Sequence, residues 1–176
     1  MKSIINTILV ALLLVGCQNS QSLQTYFVDH QEDSDFISVD IPSSLLNSKE
    51  IELGAEEQEA LSSIKKVNVL ALPYKEGTEA KYETEKQTIL SILKSEQYET
   101  LMRFGSDGAT VELKYVGDED RIDEVVIFAS DQKKGLAIVR VLGDDIKPEK
   151  IAKLVKSVES GKMDMAGLNA IAKFLK

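Results

Sequence analysis

The sequence predicts an α+β fold: a single domain in which an antiparallel β-meander sheet carries packed α-helices. Two observations lead to this. From Gln97 onward the apolar period changes from helical to alternating, giving candidate strands at 98–104, 110–116, 122–129 and 136–142 joined by turns so short that neighbours must run antiparallel. Before Gln97, two β-rich runs closed by proline, 36–41 and 66–72, alternate with amphipathic stretches of helical period.

The chain opens with the layout of a cleaved signal peptide, residues 1–16. Lys2 supplies a short positive start, and 4–15 is a run of Ile, Leu, Val and Ala broken only by Asn6 and Thr7. A spanning helix needs about 20 predominantly apolar residues, and the polar run Gln18-Asn19-Ser20-Gln21-Ser22 begins well before that. Leu14-Val15-Gly16-Cys17 resembles the bacterial lipobox, in which cleavage falls between Gly16 and Cys17. The resemblance implies a diacylglyceryl thioether and an N-acyl chain on Cys17. Each buried methylene contributes about 0.8 kcal/mol, and one acyl chain alone binds a membrane only marginally, so two or three are needed to hold a domain there. The competing reading of Cys17 is an ordinary thiol. Its place at the close of an apolar run, in a chain with no other cysteine, favours lipidation. No disulfide within the chain is then available, and stability must come from packing. Residues 17–22 form a tether and 23–176 the domain.

Leu23, Tyr26, Phe27 and His30 recur at helical spacing and predict a short helix, broken by Glu32-Asp33-Ser34-Asp35. The strand at 36–41 places Phe36, Ser38 and Asp40 on one face and Ile37, Val39 and Ile41 on the other, and Pro42 ends it before a helical turn through Leu45 and Leu46. Residues 51–63 predict a helix with an acidic outer face, weakened by Gly54. After the strand at 66–72, residues 78–94 predict the clearest helix, with Thr78 as its cap and Ile89, Leu90, Ile92 and Leu93 as its buried stripe. Within the meander, Val111, Leu113 and Tyr115 face one side and Glu112 and Lys114 the other, so one face of that strand is expected to be wet. The runs 125–129 and 136–142 are apolar on both faces and are expected to be central. Gly143-Asp144-Asp145 is expected to turn out of the sheet. A helix with the stripe Ile151, Leu154, Val155 and Val158 follows Pro148, and a last one starts near Asp164.

Acidic residues outnumber basic ones, 29 to 21, for a net charge of −8. That excludes phosphate-backbone binding, which needs clustered Lys and Arg, so no nucleic acid partner is expected. Tryptophan is absent, which weakens an aromatic binding face.

His30 with Asp29, Glu32, Asp33 and Asp35 is weighed as a metal or acid-base cluster. One histidine in an acidic turn falls short of the three protein ligands of a catalytic zinc, and a solvated helix end accounts for the residues. Asp118, Glu119 and Asp120 lack the spaced loop of a calcium site. No nucleophile elbow, phosphate-cradling loop or metal set is present, so no catalytic residue, metal or cofactor is expected, and a hydrolase using an acidic pair is the remote alternative. Met163, Met165, Leu168, Ile171 and Leu175 form a stripe that suits either packing on the chain's own sheet or contact with a partner.

The acidic Gly-Asp turn at 117–118, then Ile122-Asp-Glu-Val-Val-Ile-Phe128, a charged turn and Leu136-Ala-Ile-Val-Arg-Val-Leu-Gly-Asp144, continued by Ile146 and the stripe at 151 and 154, resemble the family catalogued as domain of unknown function 4252. The resemblance spans roughly residues 23–160. It implies an α+β envelope lipoprotein of a gram-negative bacterium, with no catalytic residue or ligand to carry over and a lean toward sensing. The expectation from sequence is therefore a non-enzymatic envelope lipoprotein, held to the membrane by its N-terminal lipid and acting by protein interaction. The alternative is a module that binds a small ligand or senses envelope stress.

Overall fold

A computed structural model describes residues 21–46, 54–106, 108–118, 121–147. The elements in chain order are α1 (Leu23–His30), β1 (Ile37–Pro42), α2 (Ser43–Leu46), α3 (Ala55–Ser63), β2 (Ile64–Pro73), α4 (Glu79–Ile92), β3 (Glu99–Ser106), β4 (Ala109–Asp118), β5 (Arg121–Asp131) and β6 (Gly135–Ile146). The six strands make one antiparallel sheet in the order β1-β2-β6-β5-β4-β3. The meander predicted from short turns is its right half, and the apolar runs of β5 and β6 lie inside the sheet as expected.

Both faces of the sheet are apolar. On one, α1 and α4 bury Leu23, Tyr26, Phe27, Ile89, Ile92 and Leu93 against Leu70, Leu72, Val126, Phe128, Leu136 and Ile138. On the other, Ala60 and Leu61 of α3 join Ile64, Val67, Val125, Val141 and Ile146. At about 1.5–3 kcal/mol for each fully buried large aliphatic or aromatic side chain, these clusters outweigh the surface ion pairs, worth about 0–1 kcal/mol each. α1 starts where Ser22 accepts a hydrogen bond from Thr25 N at 3.1 Å.

Three expectations need correction. Thr78 does not cap α4 with its side chain; its hydroxyl donates instead to the carbonyl of Lys75 at 2.6 Å and closes the preceding turn. The strand ending near Leu142 continues to Ile146, because Ile146 pairs with Ile122 across an irregularity in the ladder and Gly143 lies close against the carbonyl of Ser63 at the end of α3. The face of β4 that carries Glu112 and Lys114 is not wet: Glu112 is 3% exposed and Lys114 8%. The strands reach further than the apolar runs at most ends, since polar residues such as Asp131 still pair.

At the β5–β6 turn, Oδ1 of Asp131 accepts from Lys133 N at 2.7 Å and from Lys134 N at 3.0 Å. Those amides, the Lys133 one foremost, hold the Asp131 carboxyl below its ordinary pKa. Gly135 follows with φ +113°, and a Cβ there would run into the backbone of Leu72 near the end of β2 and of Tyr74 just beyond it. Gly108 also has positive φ, +91°, but only the far end of Gln132 lies near it. Gly135→Ala should therefore cost about 3 kcal/mol, strain plus collision, whereas Gly108→Ala should cost about 1 kcal/mol from strain alone. Urea denaturation of both variants checks the difference.

Candidate functional site

The register of the strands lays a polar row across the sheet on the side of α1 and α4. Asp40, Asn68, Arg140, Val126, Lys114 and Thr100 stand opposite one another from β1 to β3, and only Val126 is apolar. Asn68 donates to Asp40. Arg140 Nη2 meets Glu124 Oε2 at 2.8 Å, and its other amino group donates to Gln24 on α1. Lys114 Nζ donates to Thr100 Oγ1 at 2.9 Å and to the carbonyl of Tyr98 at 3.3 Å. In the next row, Arg103 reaches Glu112 at 2.6 Å.

These contacts place four charged side chains in the interior, and each helps seat an element. Arg140 ties α1 to β6 through Gln24, and Lys114 ties the α4–β3 connection to β4 through Tyr98. Burial, then the nearby Glu124 charge, raises the pKa of the Tyr98 phenol. Sequence reasoning missed this cluster. The signal was present in Arg140, which interrupts an otherwise apolar strand, and in the alternation Glu112, Lys114.

Above the row, between the start of α1 and the end of α4, lies a groove of about 580 Å³. It is lined by Gln21, Ser22, Gln87, Thr88, Ser91 and Ser95, with Ile92 and Gln97 completing it. No lining side chain is charged, so the groove suits a neutral ligand rich in hydroxyl or amide groups.

The histidine and the acidic turn go different ways. His30 Nδ1 lies 2.8 Å from the carbonyl of Tyr26, and Nε2 lies 3.4 Å from Glu85 Oε2, which also accepts from the Tyr26 hydroxyl at 2.8 Å. Burial first, and then that carboxylate, pushes the Tyr26 phenol well above its ordinary pKa. Asp33 and Asp35 bind Lys81 of α4 at 3.0 and 2.6 Å, and Lys81 sits over the Phe36 ring. Asp35 is held below the ordinary aspartate pKa chiefly by Lys81, and Asp33 by the Asp35 amide and then Lys81. The cluster thus divides into two fasteners onto α4, one from α1 through His30 and one from the turn after α1 through Asp33 and Asp35. Among the described residues no group of three or more His, Cys, Asp and Glu is placed to hold a metal.

Asp118 pairs with Arg121 at the β4–β5 turn, while Glu119 and Asp120 lie outside the described residues. So do Gly16 and Cys17, the helices expected after Pro148 and Asp164, and Met163, Met165, Leu168, Ile171 and Leu175. The two buried carboxylates on neighbouring strands, Glu112 and Glu124, stand in different rows, each with its own arginine. Among the described residues no helix is long and apolar enough to cross a membrane.

Removing one member of a buried pair leaves the other charge uncompensated, at about 3–5 kcal/mol. Arg140→Met should therefore destabilise the domain by about 3 kcal/mol, and adding Glu124→Leu should restore most of that. Urea titrations of wild type, Arg140→Met and the double variant measure both steps; a double variant no more stable than the single would contradict this account of Glu124.

No curated protein and no solved structure gives a significant match to the chain. The model of one family, described as Domain of unknown function (DUF4252), matches residues 26–154, which takes in the helices and strands from Tyr26 of α1 to the end of β6. The chain belongs to that family.

Proposed function

We propose that the protein is an envelope lipoprotein of a gram-negative bacterium, anchored by acyl chains on Cys17, whose domain acts by protein interaction. The observation that carries this reading is Leu14-Val15-Gly16-Cys17 at the close of an apolar run, in a chain whose only cysteine is Cys17. Gln18 after the cysteine is not acidic, and no acidic run follows before Asp29. By resemblance to known sorting rules, that favours the outer membrane with the domain facing the periplasm. β3 supports the interaction: among the described residues it is an edge strand, and its backbone edge with the exposed Leu101 is a surface that an extended partner strand would fit. Cys17→Ser should release the protein from the membrane fraction and abolish the acyl mass on its N-terminal peptide. Membrane association unchanged by the substitution, with no acyl mass on the wild type, would overturn the proposal.

A second reading rests on the uncharged groove between α1 and α4. Its Ser, Thr and Gln lining fits a neutral, hydroxyl-rich or amide-rich envelope component. The neutral disaccharide of N-acetylglucosamine at millimolar concentration should raise the melting temperature by a few degrees, an effect that Ser91→Trp, which fills the groove, should remove. No shift with the wild type would count against this reading.

A further inference from the structure

The sheet face that carries α3 is covered unevenly by the described helices. α2 packs on β1 and β2, and α3 on β2 and β6. The other half of the face, on β5, β4 and β3, is nonetheless apolar over two rows: Ile127, Leu113 and Met102 stand opposite one another in one, and Ala129, Val111 and Phe104 in the next, with Glu99 beyond them opposite Tyr115. Met102 and Phe104 at its border are 52% and 54% exposed. Ala129 continues across Ala137 and Ala71 to Ile37, so the middle of this row is built from small side chains. Such a row lets a helix approach closely.

β6 delivers the chain to this half. Ile146 pairs with Ile122 at the start of β5, and 29 residues follow Lys147. Residues 151–158 carry Ile151, Leu154, Val155 and Val158 at one helical face's spacing. Three strands span about 14 Å, the length of a helix of about ten residues. Charge agrees: residues 148–176 hold six lysines and three acidic residues, whereas the rest of the chain holds 15 basic and 26 acidic ones.

We infer that residues 148–176 dock in cis on the β5–β4–β3 half of this face, with the Ile151–Val158 and Met165–Leu175 stripes turned to the sheet and the lysines turned out. This assigns the methionine-bearing stripe to the chain's own sheet, covers Met102 and Phe104, and leaves the backbone edge of β3 and Leu101 for a partner. The inference stands on the sheet and the segment, independently of the lipid anchor.

The test uses the full mature chain, residues 17–176 with Cys17→Ser, and the photoreactive residue p-benzoylphenylalanine in place of Phe104. Illumination should join the β3 peptide to a peptide from 148–176 within one molecule, with a yield independent of protein concentration. Leu154→Glu with Leu168→Glu should cut that yield at least tenfold and speed amide exchange in β4. A crosslink between two molecules that grows with concentration would overturn the inference in favour of a dimer. Crosslinking to added anionic phospholipid vesicles alone would overturn it in favour of a membrane-bound segment, and an absence of any crosslink to 148–176 would overturn it outright. The crosslink uses the native segment, so it remains decisive even if the double glutamate variant fails to fold.

Discussion

Everything in this domain depends on the pairing of β2 with β6. The N-terminal half supplies β1 and β2, the C-terminal half supplies the meander, and β2 joins them in register from Lys66 opposite Leu142 to Pro73 opposite Gly135. β2 also places Val67 and Val69 in one apolar cluster and Leu70 and Leu72 in the other, all nearly inaccessible to solvent. At about 1.5–3 kcal/mol each, those four side chains account for about as much free energy as the net stability of a typical domain, roughly 5–15 kcal/mol. The pairing is also the long-range step in folding, because about 60 residues, from Pro73 to Gly135, must close into a loop before the first contact forms. Gly135 matters for the same reason: the turn that starts β6 must pass directly against the end of β2.

The sheet closes over its two faces by different means. On the α1–α4 side, large side chains share the face with a row of polar and charged groups that crosses the central strands, with Arg140 on β6, Glu124 on β5 and Lys114 and Glu112 on β4. Such buried pairs add little net stability, because desolvation offsets most of the attraction. Oε1 of Glu124 and Nε of Arg140 find no protein partner at all, which weakens the pair further. What the row contributes is register. A slip of one residue in β4 or β6 would carry Lys114 or Arg140 onto the α3 face among Val125, Ile127 and Val139, away from Thr100, the Tyr98 carbonyl and Glu124. An apolar alternation alone would penalise that slip far less on a sheet whose two faces are both buried.

How much of this the sequence discloses follows from the same physics. Strands of the meander are legible because Gly-Asp turns and alternating side chains are local signals, as in Val111, Leu113 and Tyr115. The helices of 23–30 and 79–92 are legible from spacing, which put Tyr26, Phe27, Ile89 and Leu93 on buried faces. Strand order is not legible: nothing in 66–72 says that its partner lies at 135–142. The burial of Glu112 and Lys114 is hidden too, since alternation with polar residues means a wet face unless something distant covers them. Here the covers are Arg103, Thr100 and the Tyr98 carbonyl, on the far side of a hairpin or beyond it. His30 misleads for the same reason, because its neighbours in sequence are acidic while its neighbours in space are Tyr26, Phe36 and Glu85.

The two edges of the sheet differ in a way that bears on function. β1 is six residues long, ends at Pro42, and is guarded by the Lys66–Asp40 ion pair at 2.8 Å; all three features discourage strand addition. β3 has an irregularity between Thr100 and Met102 and the charge of Arg103, but it lacks a closing proline and exposes Leu101, which makes it the stickier edge. For a domain free in solution such an edge would be a route to aggregation. A domain on a tether of a few residues meets fewer orientations of its neighbours, and a partner in the same membrane is met at a much higher effective concentration. A weak, strand-like contact too feeble to persist between freely diffusing molecules then becomes useful. On the function proposed above, an anchor at Cys17 would supply the concentration and the edge of β3 the contact.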